Sequence, residues 1–186
     1  MKKRILALVA AVCSVALATH AQEQEKTEES LPPPQERVTK APWPVWLQFN
    51  STENLDIVGV RFNIPYGVCD EVTGLDIGFF GRTRNLYGIQ ANILRNDASD
   101  ALAGVQIGIW NSAGRTEPVS VQCGLWNEAG SFTGVQIGAI NVAGSGEGFQ
   151  VGLINRCETL HGYQLGVLNV IRDGNIKLMP ILNIGF

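Results

Sequence analysis

The chain has 186 residues and a formal net charge of −3 at pH 7, from 14 basic and 17 acidic residues. The basic residues form no stripe or cluster of the kind that contacts phosphates, so the composition argues against a nucleic-acid-binding protein. About 140 residues follow the N-terminal region, which is enough for one domain.

The first element is a predicted secretory signal peptide, residues 1–21. Lys2, Lys3 and Arg4 precede an apolar run over residues 5–18, and small residues allow cleavage after Ala18 or Ala21. The alternative is an uncleaved membrane anchor, but spanning a bilayer takes about 20 apolar residues. Removing the three cations leaves 11 basic and 17 acidic residues, a mature net charge of −6.

Residues 22–44 come next and are predicted to be a disordered leader. The segment is rich in Glu, Gln and Lys and contains three consecutive prolines at 32–34. Such a composition has little apolar surface to bury. The remaining residues, 45–186, are apolar and Gly-rich and are predicted to form the single folded domain.

A repeated phrase dominates this domain. It is GVQIGIWN from Gly104, GVQIGAIN from Gly134, GFQVGLIN from Gly148 and GYQLGVLN from Gly162. The third residue of the phrase serves as a marker, and the markers recur at short, nearly constant intervals. They are Arg61, Asp76, Gln90, Gln106, Gln122, Gln136, Gln150, Gln164 and Lys177, with Gln48 before them. Gln48 and Lys177 fit the phrase least well. With these two included, the pattern predicts about ten units of one repeating structure.

Each unit alternates with a period of two. Val105, Ile107 and Ile109 point one way, whereas Gly104 and Gln106 point the other way. This alternation predicts a β-strand. An Asn five residues after the marker then predicts a turn, since Asn side chains cap turns and the Gly that often follows allows positive φ.

Two all-β architectures fit these strands. In a solenoid each unit would be one coil, and each coil would need a second apolar strand, which segments such as residues 142–147 do not supply. In an antiparallel meander each unit is one strand and one tight turn. We therefore predict a meander that closes into a small β-barrel, because closure removes the exposed edges. The β-solenoid, or an open repeat sheet, is the alternative.

The dimensions of the strands suit an outer membrane. A strand of about 10 residues tilted near 40° covers about 25 Å of membrane. The Val-Ile-Leu face would then meet lipid, and the markers from Arg61 to Lys177 would line a narrow interior, where Arg61 and Asp76 would pair across neighbouring strands. In the alternative, the marker side faces water and the Val-Ile-Leu side is the core of a soluble domain.

The C-terminal segment ends in Phe186, after alternating apolar residues at Ile184, Leu182 and Leu178. It resembles the C-terminal strand of bacterial outer-membrane barrels. The resemblance implies that Phe186 is a signal for the outer-membrane assembly machinery. Pro180 departs from that pattern, and aligning the strand on Lys177 or on Asn183 places Phe186 on opposite faces.

The four quoted phrases also resemble an uncharacterised family of bacterial surface-repeat proteins with GVQIGLVN-like units. The resemblance covers about residues 55–186. It implies an exported protein of the cell surface or outer membrane. It implies no activity and brings no catalytic residues.

Chemical motifs are absent from the rest of the sequence. His161 is the one histidine after the predicted signal peptide, no cysteines have zinc-site spacing, and no nucleophile elbow occurs. We therefore expect no enzyme, no cofactor and no metal. Cys69, Cys123 and Cys157 remain after cleavage, an odd number that cannot pair fully within the chain. One possible disulfide bridge would join Cys69 and Cys157.

The sequence therefore predicts a non-enzymatic small outer-membrane barrel or surface protein with a structural, interaction or narrow-pore role. Its expected partners are outer-membrane lipid and the assembly machinery, and its ligand is unknown. The alternative is a soluble periplasmic or secreted β-repeat protein that binds a partner.

Overall fold

A computed structural model of the chain describes residues 44–49, 51–52 and 55–186, and every regular element among them is a β-strand. The elements are β1 (Val45–Gln48), β2 (Ser51–Thr52), β3 (Asp56–Thr116), β4 (Ser120–Ile171) and β5 (Leu178–Gly185). The predicted all-β class is confirmed. The predicted signal peptide and all but the last residue of the predicted leader lie outside the described residues.

The two longest elements are wound into coils. β3 has 61 residues and β4 has 52, far more than a straight strand of a globular protein. The Nε2 atom of Gln106 lies 2.9 Å from Oε1 of Gln90, although 16 residues separate the two markers. Each run therefore returns to the same place once per repeat, so that successive units stack as a β-solenoid.

The pairing of the strands excludes the predicted barrel. β1 and β2 both pair with β3 in parallel, and β3 pairs with β4 in parallel, with Val105 opposite Val121. Only β4 and β5 are antiparallel. The antiparallel meander that closes into a barrel was wrong, and the solenoid alternative describes the chain. A hairpin reverses the direction of the next strand. Within β3 and β4 the chain always turns in the same sense, so equivalent strands of neighbouring coils run parallel.

Each coil bends at corners, and the glycine at the start of each phrase allows one of them. Gly148 has φ 133°, which side-chain-bearing residues rarely adopt. A Cβ atom built on it would lie 2.1 Å from the carbonyl oxygen of Gly134, the equivalent residue one coil earlier. The same glycine therefore permits the turn and sets how closely neighbouring coils approach. Other positive-φ glycines in this position are Gly59, Gly74, Gly88, Gly104, Gly134 and Gly162.

Buried apolar residues supply the second apolar side that a solenoid was expected to need. One column, four residues before the markers, consists of Ile57, Val72, Leu86, Leu102, Phe132 and Leu160. A second column consists of small residues. Ala113, Ala129, Ala143 and Cys157, seven residues after their markers, are buried. Phe132 lies in the same buried cluster as the last three of them. Segment 142–147, which was expected to supply no apolar residue to a core, contributes Ala143 to this cluster.

β5 ends the parallel stack. Its register places Asn183 opposite Gln164, and Asn183 is 1% exposed. Lys177 precedes β5 and is exposed, so its predicted place on the inner face was wrong. The physical reason is that β5 runs antiparallel to β4, which reverses the order in which residues meet the markers. Asn183 occupies the place predicted for Lys177.

One turn between coils contains a strained residue. The amide of Ser120 donates to the carbonyl of Glu117 at 3.2 Å, and between them Pro118 precedes Val119, whose φ is 71°. A type II turn needs Gly or Asn at this position, and a β-branched residue is disfavoured there. Because Val119 is 87% exposed, it gains little from packing. Replacing Val119 with Asn should raise the free energy of unfolding by about 1 kcal/mol, measured by urea denaturation. A loss of stability would contradict the assigned turn.

Candidate functional site

The interior contains a continuous column of glutamine side chains, the glutamine ladder. In each step Nε2 of one glutamine donates to Oε1 of the glutamine one coil earlier, at 2.7–2.9 Å. The second proton of Gln122 goes to the carbonyl of Glu128 at 3.1 Å. All members are at most 1% exposed. They are Gln90, Gln106, Gln122, Gln136, Gln150 and Gln164.

A second column, the asparagine ladder, lies on another side of the interior. Nδ2 of each asparagine donates to Oδ1 of the next, at 2.7–2.8 Å. Asn127 also donates to the carbonyl of Ile137 at 2.8 Å. The members are Asn96, Asn111, Asn127, Asn141, Asn155 and Asn169, all fully buried. Five of these were interpreted as turn residues from the sequence, and their fixed distance of five residues from each marker was the signal of an inward column.

The two ladders run in opposite directions. Glutamines donate toward the preceding coil and asparagines toward the following coil. The side-chain amide dipoles of the two columns therefore oppose one another, which limits the net dipole along the solenoid. Buried amides are costly unless they are paired, and here each supplies the partner of the next. The polar part of the interior thus consists mainly of side chains that satisfy one another.

The glutamine ladder ends at its N-terminal side in a buried ion pair. Nη2 of Arg61 lies 2.6 Å from Oδ2 of Asp76, and Nε of Arg61 donates to Oδ1 at 2.9 Å. Both side chains are 0% exposed. Asp76 also accepts hydrogen bonds from Asn63 and from Gln90, the latter at 2.8 Å. The carboxylate is therefore the final acceptor of the ladder.

Electrostatics in this cluster favour charged Arg61. Burial is the largest single effect and would lower the pKa of Arg61, but the charge of Asp76, its hydrogen bond and the smaller effect of Cys69 together raise that pKa. Nη1 of Arg61 also donates to Sγ of Cys69 at 2.8 Å. Burial raises the pKa of the Cys69 thiol to about 11, and burial also raises that of Cys157 to about 12. Both cysteines are free thiols, so the considered bridge between them does not form.

The outward side of the marker strands is apolar throughout. In each of the eight coils from Arg61 to Gln164, the residues one before, one after and three after the marker point outward, and none of them is charged. We call this surface the outer face. It comprises residues 60, 62 and 64; 75, 77 and 79; 89, 91 and 93; 105, 107 and 109; 121, 123 and 125; 135, 137 and 139; 149, 151 and 153; and 163, 165 and 167.

The side chains of the outer face are accessible to solvent. Ile107 is 49% exposed, Leu125 62% and Val167 69%, and no member of the face is buried. Ile137, Val151 and Leu165, from three successive coils, line one shallow depression. β1 extends the face at one end with Val45 and Leu47, and β5 at the other with Leu182 and Ile184. The core assigned to the Val-Ile-Leu side in the soluble alternative was therefore wrong.

Charged side chains lie on the other sides of the solenoid. Arg82 pairs with Asp97 at 2.9 Å, and Arg172 pairs with Glu158 at 2.9 Å. Both pairs, like the other charges between markers, come five or more residues after a marker. The molecule thus separates an uncharged apolar side from charged sides, and a monomeric soluble protein rarely exposes so continuous an apolar surface.

Phe186 and His161 lie outside both ladders. Phe186 is 90% exposed after the end of β5, and His161 is also exposed. Within the described ranges, no group of three or more His, Cys, Asp or Glu residues could hold a metal ion. The same residues contain no helix long and apolar enough to cross a membrane.

Comparison with known proteins finds no match: no family model, no curated protein and no solved structure is similar to this chain. The resemblance to surface-repeat proteins therefore stays a prediction from the four phrases.

Proposed function

We propose that the chain is a non-enzymatic, exported protein of the bacterial cell surface or outer membrane, with a structural or interaction role. Its working surface is the outer face, which becomes covered by another macromolecular surface. The interior is occupied by hydrogen-bonded side chains, so the narrow-pore role considered from the sequence is not part of the proposal. Recognition of Phe186 by the assembly machinery stays a prediction.

The observation that carries this proposal is the outer face, to which each coil contributes three outward side chains without a single charge. Monomeric soluble proteins rarely expose contiguous apolar patches larger than a few hundred Å². A face eight coils long, with strands about 4.8 Å apart and about 17 Å of strand in each, covers roughly 600 Å². An apolar surface of this size, with charges confined to other sides, is typical of an interaction surface.

Cys123 provides a test within the face itself. It is an exposed thiol one residue after the marker Gln122, whereas Cys69 and Cys157 are buried. Ser145 is exposed on another side of the solenoid. Intact cells producing the full chain would be treated with a membrane-impermeable maleimide. The double variant Cys123→Ser/Ser145→Cys should be labelled, and wild-type Cys123 should be labelled at least about 10-fold more slowly, because a covered face excludes the reagent.

Two results would contradict the proposal. If the Ser145→Cys thiol reacts only after cells are opened, the chain is not at the surface. If Cys123 reacts in cells as fast as the Ser145→Cys thiol, the outer face is uncovered and is not the working surface. Denatured protein, in which both thiols are accessible, corrects for intrinsic reactivity.

A further inference from the structure

We propose that the surface covering the outer face is a second copy of this chain, packed face to face as a two-fold symmetric dimer. The inference depends on the proposed function, in which the outer face is the working surface, and it names the partner. The size of the face, the distribution of charge and the position of Cys123 all favour a second copy as the partner.

The size of the face suits a dimer. With Val45 and Leu47 at one end and Leu182 and Ile184 at the other, the face has ten rows of outward side chains. Ten rows about 4.8 Å apart and about 17 Å wide give roughly 700 Å² for each copy. Stable interfaces bury about 800 Å² on each partner, and homodimer interfaces are more apolar than other interfaces. Two such faces would bury about 1,400 Å² together.

The shape of the face also fits a copy of itself. β-Sheets pack face to face about 10 Å apart when both present apolar side chains, as in β-sandwiches. Here the side chains rise from one sheet that is parallel except at β5. Ile107 lies opposite Cys123, so the same columns of side chains continue from coil to coil. Two copies would therefore interdigitate two equivalent, regular surfaces.

The charge distribution favours a second copy over lipid. Proteins that lie on membranes usually surround an apolar face with Lys and Arg, which contact anionic headgroups. Lys177 is the only lysine among the described residues, and the outer face contains no arginine. The whole chain has net charge −3, which anionic headgroups would repel. Two copies joined through uncharged faces place their charged sides away from each other.

Cys123 lies near the centre of the face, in the middle column and the sixth of the ten rows. In a face-to-face dimer the two-fold axis passes through the interface, and residues near its midpoint meet their own symmetry copies. For full overlap of the two faces, the two Cys123 thiols therefore approach each other whatever the crossing angle. No other outward position of the face holds a thiol.

The first experiment measures the mass of the purified full chain by sedimentation equilibrium over a range of concentrations. Wild type should have twice the mass of one chain. Ile107→Lys places a charge in the middle column and should raise the dimer dissociation constant at least about 100-fold. Ser145→Lys adds the same charge on another side and should leave that constant unchanged. Because Ile107 is 49% exposed, its variant should keep the wild-type far-UV circular dichroism spectrum.

The second experiment uses a short bis-maleimide, which joins two nearby thiols. Wild type purified after removal of the predicted signal peptide, and therefore without Cys13, should give a cross-linked dimer through Cys123, and Cys123→Ser should abolish it. The variant Cys123→Ser/Ser145→Cys has an exposed thiol on another side and should give none. Leu165→Lys, farther along the face, should also reduce cross-linking, which provides a second route should Ile107→Lys fail to fold.

A wild-type chain that stays monomeric at 100 μM would overturn the dimer, as would cross-linking equal at Cys123 and at the Ser145→Cys thiol. Lipid would be identified as the occupant, and the dimer overturned, by a monomeric wild-type chain that co-sediments with phosphatidylethanolamine–phosphatidylglycerol vesicles. Ile107→Lys should then abolish the co-sedimentation. In that case Cys123 would still be protected in cells, so the proposed function would stand. Free labelling of Cys123 in cells would reject the proposed function itself.

Discussion

Replacing Asp76 with alanine is expected to lower the free energy of unfolding by about 3–5 kcal/mol. The change leaves the Arg61 guanidinium, 0% exposed, without its counter-charge. It also removes one of the two acceptors of each of the Asn63 and Gln90 side-chain amides. A buried charge without a partner and buried donors without acceptors both carry desolvation costs that the folded state must bear.

The matched control is the pair between Arg172 and Glu158. Its N–O distance is 2.9 Å, but its side chains are 57% and 52% exposed. Arg172→Ala should cost less than about 1 kcal/mol, because water and salt screen exposed pairs. Both variants would be compared by urea denaturation at one protein concentration. Equal losses for Asp76→Ala and Arg172→Ala would contradict the buried pair as a principal contribution to stability.

A double variant separates the charge pair from the ladder. Arg61→Gln with Asp76→Gln would place glutamine at two further marker positions. Because Gln90 already donates to position 76, the ladder should extend by two steps. The double variant is expected to be more stable than either Asp76→Ala or Arg61→Ala, since no unpaired charge remains buried.

The repeat and its alternation were predictable from the sequence because both are local properties. The short, regular period of the markers and the alternation of Val105, Gln106 and Ile107 give a strand whatever the partner strand. The direction of pairing is not local. It depends on whether each glycine-containing corner reverses the chain, as a hairpin does, or continues it in the same sense. Glycine with positive φ is typical of both, so Gly148 in the sequence could not distinguish a barrel from a solenoid.

The side that forms the interior was harder to derive. The rule that apolar residues form a soluble core predicts an inward position for Ile107, yet its side chain is 49% exposed. Gln106 is inside because every other glutamine of the column stacks on the same position and satisfies it. A single buried glutamine without hydrogen-bond partners would destabilise the fold, whereas in a column each glutamine bonds to the next. The exception is the last acceptor, Oε1 of Gln164, which has no partner. Asn111 was missed for the same reason, since its meaning depends on Asn96 and Asn127 in neighbouring coils.

Replacing Gly148 with alanine should also lower the free energy of unfolding by about 3–5 kcal/mol, from backbone strain and a steric clash together. Its φ of 133° is unfavourable for alanine. The new Cβ would also lie 2.1 Å from the carbonyl oxygen of Gly134, which belongs to the backbone and cannot rotate away. Moving the coils apart to relieve this contact would lengthen the adjacent step between Gln150 and Gln136, now 2.7 Å.

Gly174→Ala is the control for this change. Gly174 has no positive φ, and the nearest atoms to its added Cβ are Cγ2 and Cβ of Ile171, at 2.9 and 3.1 Å, which are side-chain and not backbone atoms. That variant should cost less than about 1 kcal/mol. The two are compared by urea denaturation at one protein concentration. If Gly148→Ala is no more destabilising than Gly174→Ala, the corner tolerates a side chain, and the first glycine of the phrase does not set the spacing of the coils. If the difference appears as expected, this glycine and the marker glutamine act together, because one brings the coils close and the other links them.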